Sequence, residues 1–354
     1  MLFHYFSISF VLIEQFRGAN ILNIVVTGAA GFVGSHTAAY FEQMGHSVLA
    51  IDNFNQNYAK SLKELRVSKL LSNSKVDFVE LNLCDRSNLN EILVKFSPDT
   101  IIHLAAQPGV RTPIEESFKY IDNNIVAFSN VLQLAVENRI KNFIYASSSS
   151  VYGNSLELPY KEENQKIAPI SIYGSTKRAN EILTSSYVRN SATRARGLRF
   201  FTVYGPMGRP DMAYFRIISS ALNNKVFQLY GDGKILRDFT FIDDIVRMTY
   251  GLTIDLVNRT PGYHDIVNIG GGNPHSMLDL INTVEKLTNL KIHLEYFQTN
   301  QNDTIQTCAD TQLLKSLTNF SSFEGLESGI RKVIDWTLAI NDKTILEKWI
   351  ESTN

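Results

Sequence analysis

Residues 27–34 read TGAAGFVG and come directly after the apolar run LNIVV at 22–26. Gly28, Gly31 and Gly34 stand where a strand must turn sharply into a helix. Glycine there lets backbone amides approach a pyrophosphate with no Cβ in the way, and the helix N-terminus turns its N–H groups toward an anion. The spacing is G-x-x-G-x-x-G, so taken alone it is equally an ordinary strand-to-helix turn. Its surroundings decide the reading. A strand-like run comes before it, a helical-period segment follows (FVGSHTAAYFEQMG, 32–45), and Asp52 closes the next apolar run, SVLAID. Asp52 lies roughly 20 residues on, where a ribose-binding acid belongs. Its carboxylate would accept hydrogen bonds from ribose hydroxyls and repel a 2′-phosphate, so NAD is expected rather than NADP.

Outward from this turn, short β-branched runs alternate with helical stretches. VDFVEL (76–81), TIIHLAA (100–106) and KNFIYAS (141–147) read as parallel strands covered on both faces. Residues 113–139, PIEESFKYIDNNIVAFSNVLQLAVENR, read as one long helix. The order implies βαβ units and an α/β, doubly wound parallel sheet. The expected layout is an NAD-binding unit over 21–203, to which the chain returns around 238–270. A smaller C-terminal α/β substrate domain takes 204–237 and 271–354, and residues 1–20 form an N-terminal extension.

Composition narrows the function. With 354 residues and 44% hydrophobic content there is ample core, and a formal net charge of −1 argues against nucleic acid. Cys84 and Cys308 lie far apart, with no metal-ligand spacing around them. No metal is expected, and a reducing cytoplasmic setting is. MLFHYFSISFVLI at 1–13 is too short to span a membrane and lacks the basic start of a signal peptide. The fold is expected to begin near Ile21.

A second motif is YGSTK, with Tyr173 and Lys177 four apart and so on one helix face. An ammonium beside a phenol favours the phenolate, making Tyr173 a candidate general base and Lys177 its tuning partner. The stretch ASSSSVYG (146–153) lies upstream.

Taken in register, VTGAAGFVGSH, IDNFN, IIHLAAQPGVR, ASSSSVYG, YGSTKRANE, LRFFTVYGPMGRPDM and RDFTFIDDIV resemble the extended short-chain dehydrogenases that modify nucleotide sugars. AAQPGVR, SSSSVYG and FFTVYGPMGRPDM are most similar to UDP-glucuronate 4-epimerases. The resemblance covers Ile21 to about Trp336. It implies Tyr173 as base, Lys177 on the nicotinamide ribose and Ser148 on the reacting 4-hydroxyl.

It also implies a cofactor lining of Gly28, Gly31, Phe32, Val33, Gly34, Asp52, Asn53, Asn55, Asn82, Leu83, Leu104, Ala105, Ala106, Asn124, Ser147 and the backbone around Phe201. Asn82 stands where relatives commonly carry Asp. Ser149, Thr202, Arg209, Arg237 and Arg111 are the implied substrate contacts, Thr202 and Arg209 holding a sugar carboxylate and Arg237 the diphosphate. A homodimer through the helices near 114–138 and 173 follows from the same resemblance.

His103 reads as a hydrogen-bonded core residue, Asp238 and Asp243 as structural caps, and NIGGG (268–272) as a packing turn. Relatives that dehydrate or decarboxylate keep acids where this chain has Ser149 and Ser150, and hydroxyls are poor proton shuttles at neutral pH. The expectation is therefore C4 epimerisation of a UDP-hexuronic acid. A UDP-N-acetylglucosamine or UDP-glucose 4-epimerase, a UDP-glucuronate decarboxylase and a regulatory nucleotide-sugar-binding protein are the alternatives.

Overall fold

The structure is a computed structural model that describes residues 21–72, 74–109, 114–164, 166–298, 306–320, 322–340 and 342–353. The N-terminal extension and Arg111 lie outside the described residues. In chain order the strands are β1 (Asn23–Thr27), β2 (Ser47–Asp52), β3 (Asp77–Glu80), β4 (Thr100–His103), β5 (Asn142–Ser148) and β6 (Arg194–Phe200). There follow β7 (Thr202–Tyr204), β8 (Phe227–Tyr230), β9 (Leu236–Phe241), β10 (His264–Ile269), β11 (Pro274–Ser276) and β12 (Leu294–Phe297).

Seven strands form one parallel sheet in the order β10-β6-β5-β4-β1-β2-β3. The chain winds outward from β1 through β2 to β3, then restarts on the other side of β1 with β4. The carboxyl ends of β1 and β4 therefore part into a crevice, the place where ligands bind in such sheets. This is the doubly wound arrangement that the alternating runs imply. Successive residues of β1 enter different cores: Ile24 and Val26 pack on one face with Ile102 and Ile144, Val25 on the other with Leu49, Ile51 and Ile101. Burial on both faces explains the uninterrupted apolar runs.

One element was not read from the sequence and one differs from expectation. The strand β6, RARGLRF, next to the edge strand β10, carries arginines inside the sheet. Arg196 is fully buried and satisfied, with its Nε 2.7 Å from Asp265 and its Nη2 2.9 Å from Asp255. Paired acids remove the cost that made the segment a poor strand by composition. The expected single helix over 113–139 is broken into a 3-10 turn at Ile114–Glu116, a helical turn at Phe118–Tyr120, a π-helical segment at Ile121–Val126 and an α-helix at Ala127–Glu137. The π segment holds Asn124, whose buried side chain bonds the backbone of Gln107. That inward polar contact is a reason for the extra residue in the turn.

The remaining strands form a three-stranded sheet, β11-β9-β7, and a two-stranded one, β12-β8. Asp238, fully buried on β9, ties this region together. Its carboxylate accepts the backbone N–H groups of Gly271 (3.0 Å), Gly272 (2.9 Å) and Ala309 (2.9 Å). NIGGG is thus a packing turn, and Asp238 is its cap. Asp243, the other expected cap, sits in the first turn of the helix Ile242–Val257, with burial pushing its carboxyl up to about 6. The neighbouring Asp244 does the tying instead, accepting the Glu324 N–H at 2.7 Å. No helix among the described residues is long and apolar enough to cross a membrane.

Asp238→Ala strips three buried N–H groups of their acceptor and is expected to cost about 3–5 kcal/mol. Urea unfolding should show a lowered midpoint at unchanged slope. A loss below about 1 kcal/mol would rule out the tie.

Candidate active site

The glycine turn is forced by a close approach. Gly28 has φ +72°, and a Cβ on it would lie 2.7 Å from the Ala105 nitrogen at the end of β4. Gly31 closes the turn, its N–H donating to the Gly28 carbonyl at 2.9 Å, and caps the helix Phe32–Gln43 with no side-chain cap and no acid in its first turn. The helix thus offers its N-terminal field, including the Phe32 and Val33 peptides, to an anion.

Asp52 Oδ2 accepts the Ala30 N–H at 3.0 Å and Oδ1 accepts the Phe54 N–H at 2.8 Å. The carboxylate both shapes the turn and keeps lone pairs for a ribose. Asn53 accepts the Asn55 N–H at 3.1 Å. Asn55 receives the Lys63 ammonium on its carbonyl at 2.6 Å. The Asn82 amide oxygen takes the Cys84 N–H at 3.0 Å, so any adenine contact there shares that oxygen. Leu83 is buried beside it.

Leu104 and Ala105 donate to Thr27 at 3.2 and 3.3 Å, and the Thr27 hydroxyl lies 2.9 Å from His103 Nδ1. Burial pushes His103 down to about 3, with the Lys177 charge adding to it, so the ring stays neutral as a core residue. Ala106 follows in the same loop, half-buried. Asn124 fixes that loop to the next element: it accepts the Gln107 N–H at 2.7 Å and donates to Thr176 Oγ1 at 3.1 Å. The glycine turn and Asp52 together fit a dinucleotide.

β5 delivers the serines. The Ser148 hydroxyl caps the 3-10 turn Ser149–Tyr152, accepting the Ser150 N–H at 3.1 Å and donating to Ser150 Oγ at 3.2 Å. It also shares a hydrogen bond with Tyr173. Tyr173 enters on the helix Ile172–Val188, which Ser171 caps through the Gly174 N–H at 3.1 Å. Lys177, one turn on and fully buried, donates to the Ala146 carbonyl at 2.8 Å. The helix therefore brings Ser148, Tyr173 and Lys177 together as their spacing implied.

The electrostatics differ from the expected pairing. Burial pushes the Tyr173 phenol above its ordinary value; what pulls it back is the Arg209 charge and the Ser148 hydrogen bond. Lys177 Nζ, 5.8 Å from the centre of the Tyr173 ring, is turned to Ala146 and is itself lowered to about 8 by burial. In the protein alone Tyr173 is a phenol, and Arg209 is the cation that acts on it.

Ser147, implied as a cofactor contact, is buried and engaged by a side chain. Its hydroxyl donates to Glu181 Oε1 at 2.6 Å, and Glu181 receives the buried Arg199 guanidinium at 2.8 and 3.0 Å. Burial raises the Glu181 carboxyl, but the Arg199 bonds and charge outweigh it and hold it below its ordinary value. Arg199 continues to the Tyr152 hydroxyl at 2.8 Å, and Tyr152 donates to Asn268 at 2.7 Å. This chain lies under the serine turn, and sequence reasoning missed it. The signal was the two arginines inside the strand RARGLRF and the Glu in YGSTKRANE.

On the opposite side, Arg209 lies within electrostatic reach of Tyr173 and Tyr58 and forks onto Asp211, with Nε 3.0 Å from Oδ1. Its Nη1 has no partner among the described residues. Thr202 is half-buried on β7. Phe201 packs beside the stacked rings of Tyr152 and Tyr160, with ring centres 6.5 and 6.4 Å away. Arg237 on β9 donates to the Leu236 carbonyl at 3.0 Å and acts on Tyr160. Ser149 is half-buried on the turn. Among the described residues no cluster of His, Cys, Asp or Glu is placed to hold a metal ion.

Residues 24–270 match the model of the NAD dependent epimerase/dehydratase family. The chain belongs to this family. It is 34% identical over 330 residues to Protein CapI of Staphylococcus aureus, covering 90% of this chain and 98% of that one. It is 34% identical over 314 residues to the UDP-glucuronate 4-epimerase of Thermodesulfobacterium geofontis, covering 88% and 95%. Among solved structures, the UDP-glucuronic acid 4-epimerase of Bacillus cereus, in complex with UDP-glucuronic acid and NAD, superposes with a TM-score of 0.82. That match is at 34% identity and covers 90% of this chain and 99% of that one.

The Lys177 burial has a pH signature. The folded chain gives up this proton near pH 8 while the unfolded chain keeps it to 10.5, so the unfolded state binds more protons between the two. The contribution of this position to stability therefore rises with pH across that window. Urea unfolding of wild type relative to Lys177→Met should show wild type gaining from below pH 8 toward 10.5. A difference flat across the window would refute the burial cost.

Proposed function

We propose that the protein is an NAD-dependent UDP-glucuronate 4-epimerase, inverting the C4 hydroxyl of UDP-glucuronate to give UDP-galacturonate. The observation that carries this is the Ser148–Tyr173 hydroxyl pair facing the Arg209 charge, with plain hydroxyls at Ser149 and Ser150. The family and the identity to UDP-glucuronate 4-epimerases support it.

NAD, when bound, would supply the acceptor and then the donor of the C4 hydride, so no net redox partner is consumed. Phe32, Val33, Asp52, Asn53, Asn55, Asn82 and the loop from Leu104 to Ala106 are the groups that would hold it, with Lys177 at its nicotinamide ribose. Tyr173, once ionised to its phenolate, removes the 4-hydroxyl proton and becomes the phenol, while Ser148 bonds the same oxygen. Once the 4-keto sugar has turned about its bonds to the diphosphate, Tyr173 returns a proton to the oxygen at the inverted centre.

Ser149 and Ser150 supply no acid that would drive loss of water. A 4-keto uronic acid is a β-keto acid and loses CO₂ when its carboxyl carbon bond aligns with the carbonyl π system. Arg209 and Thr202 hold the carboxylate out of that alignment, the guanidinium through its Nη1 edge. Arg237 neutralises the diphosphate.

In this reading 21–203 with 238–270 form the cofactor side, and 204–237 with 271–354 the substrate side. Exposed Phe118, Ile121, Val126 and Ile182 support a homodimer through their helices. The cytoplasm is the compartment in which Cys84 and Cys308 stay thiols. One observation favours a second reading: Asp211 already occupies two nitrogens of Arg209, which suits a neutral UDP-hexose.

Purified protein incubated with UDP-glucuronate and followed by proton NMR should produce UDP-galacturonate. Tyr173→Phe should lower kcat by about 10²–10⁴-fold. Prompt UDP-xylose would overturn the carboxylate argument, and conversion of UDP-glucose alone would establish the second reading. Arg209→Met should raise KM for UDP-glucuronate by about 10–100-fold while changing that for UDP-glucose little.

A further inference from the structure

Arg66 ends the helix Lys60–Arg66 and is fully buried, yet no carboxylate pairs with it among the described residues. Its guanidinium is spent on oxygens from two distant loops. Nη1 donates to the Ala30 carbonyl at 3.2 Å and to the Tyr58 hydroxyl at 2.6 Å. Nε donates to the Met207 carbonyl at 2.8 Å and Nη2 to the Gly208 carbonyl at 3.1 Å. Ala30 is the middle of the glycine turn; Met207 and Gly208 immediately precede Arg209.

Both loops are held in shapes that depend on this cation. The Ala30 peptide is gripped from both ends, its N–H by Asp52 at 3.0 Å and its carbonyl by Arg66 at 3.2 Å. Met207 has φ +58°, and a Cβ on Gly208 would fall 1.5 Å from the Tyr214 hydroxyl, so the 207–208 backbone lies tight against Tyr214. Tyr58 adds a third link, bonding Arg66 while lying within electrostatic reach of Arg209. The helix itself is anchored from the C-terminal end of the chain. Trp349 Nε1 donates to Ser61 at 3.0 Å, and Ser352 accepts the Ala59 N–H at 2.7 Å. A planar, rigid fork on an anchored helix transmits a displacement of one loop to the other.

We propose that Arg66 is a positioning residue that couples dinucleotide binding at the glycine turn to capture of the sugar carboxylate by Arg209. The proposal rests on the function proposed above. Anion binding beside Ala30 fixes the peptide that Arg66 holds, Arg66 fixes the 207–208 carbonyls, and Arg209 is presented in one orientation. Coupling of this kind is a ratio of affinities, and it is reciprocal.

The test is calorimetric titration of UDP-glucuronate and of UDP into full-length protein, NAD-loaded and stripped of NAD. Wild type should bind UDP-glucuronate at least about fivefold more tightly with NAD present. In Arg66→Lys and Arg66→Met that ratio should fall to within about twofold of one, while the ratio for UDP, which has no carboxylate, stays as in wild type. Loss of structure alone would weaken both ligands together. Should Arg66→Met fail to fold, Arg66→Lys and Tyr58→Phe carry the test, the latter expected to give an intermediate ratio. A wild-type ratio retained in Arg66→Lys, or a wild-type ratio of one, overturns the coupling. Wild type that binds UDP but not UDP-glucuronate overturns the proposed function beneath it instead.

Discussion

The buried pair of Glu181 and Arg199 is the interaction on which the catalytic side of the molecule depends. Arg199 belongs to the sheet and Glu181 to the helix that carries Tyr173 and Lys177, so their two short bonds fix that helix over the carboxyl end of β5. Each charge would be expensive alone in this interior, and removing one partner of such a pair costs about 3–5 kcal/mol. The pair is also extended. Ser147 on one side and Tyr152 on the other bond to it, so the serine turn is clamped from below at both ends. A hydroxyl positioned at Ser148 is a consequence of charges several residues away.

The same clamp explains the division of labour within the serine run. Ser147 is turned inward and is structural; Ser148 shapes the turn and meets Tyr173; Ser149 and Ser150 stand on the turn itself. With the Tyr173 phenol raised by burial, proton abstraction needs positive charge close to the ring. The Arg209 guanidinium provides part of it from the opposite loop, where the carboxylate of the sugar is proposed to bind. One cation would thereby face both the proposed base and the proposed substrate carboxylate.

Much of the fold was legible because the sheet is covered on both faces, which writes continuous β-branched runs and glycine turns into the sequence. The glycine turn, Asp52, Ser148, Tyr173 and Lys177 were legible for the same reason: local backbone geometry fixes their spacing. What was not legible depended on partners distant in sequence. Nothing in RARGLRF marks it as a buried strand until Asp255, Asp265 and Glu181 are brought to its arginines. The π-helical segment at Ile121–Val126 was hidden because apolar periodicity does not register a single buried asparagine. Arg66 carries no local signal, because its oxygens come from 36 and from 141 and 142 residues away.

The double engagement of Asp52 bears on how such a protein can diverge. Its carboxylate is the acceptor for the Ala30 amide and also the group proposed to face the adenosine ribose. A substitution that welcomed a 2′-phosphate by removing every oxygen here would withdraw the acceptor that ties the glycine turn. On that proposal the cofactor preference and the shape of the turn share one side chain: only a replacement at Asp52 that still offers an oxygen to the Ala30 amide leaves the glycine turn tied.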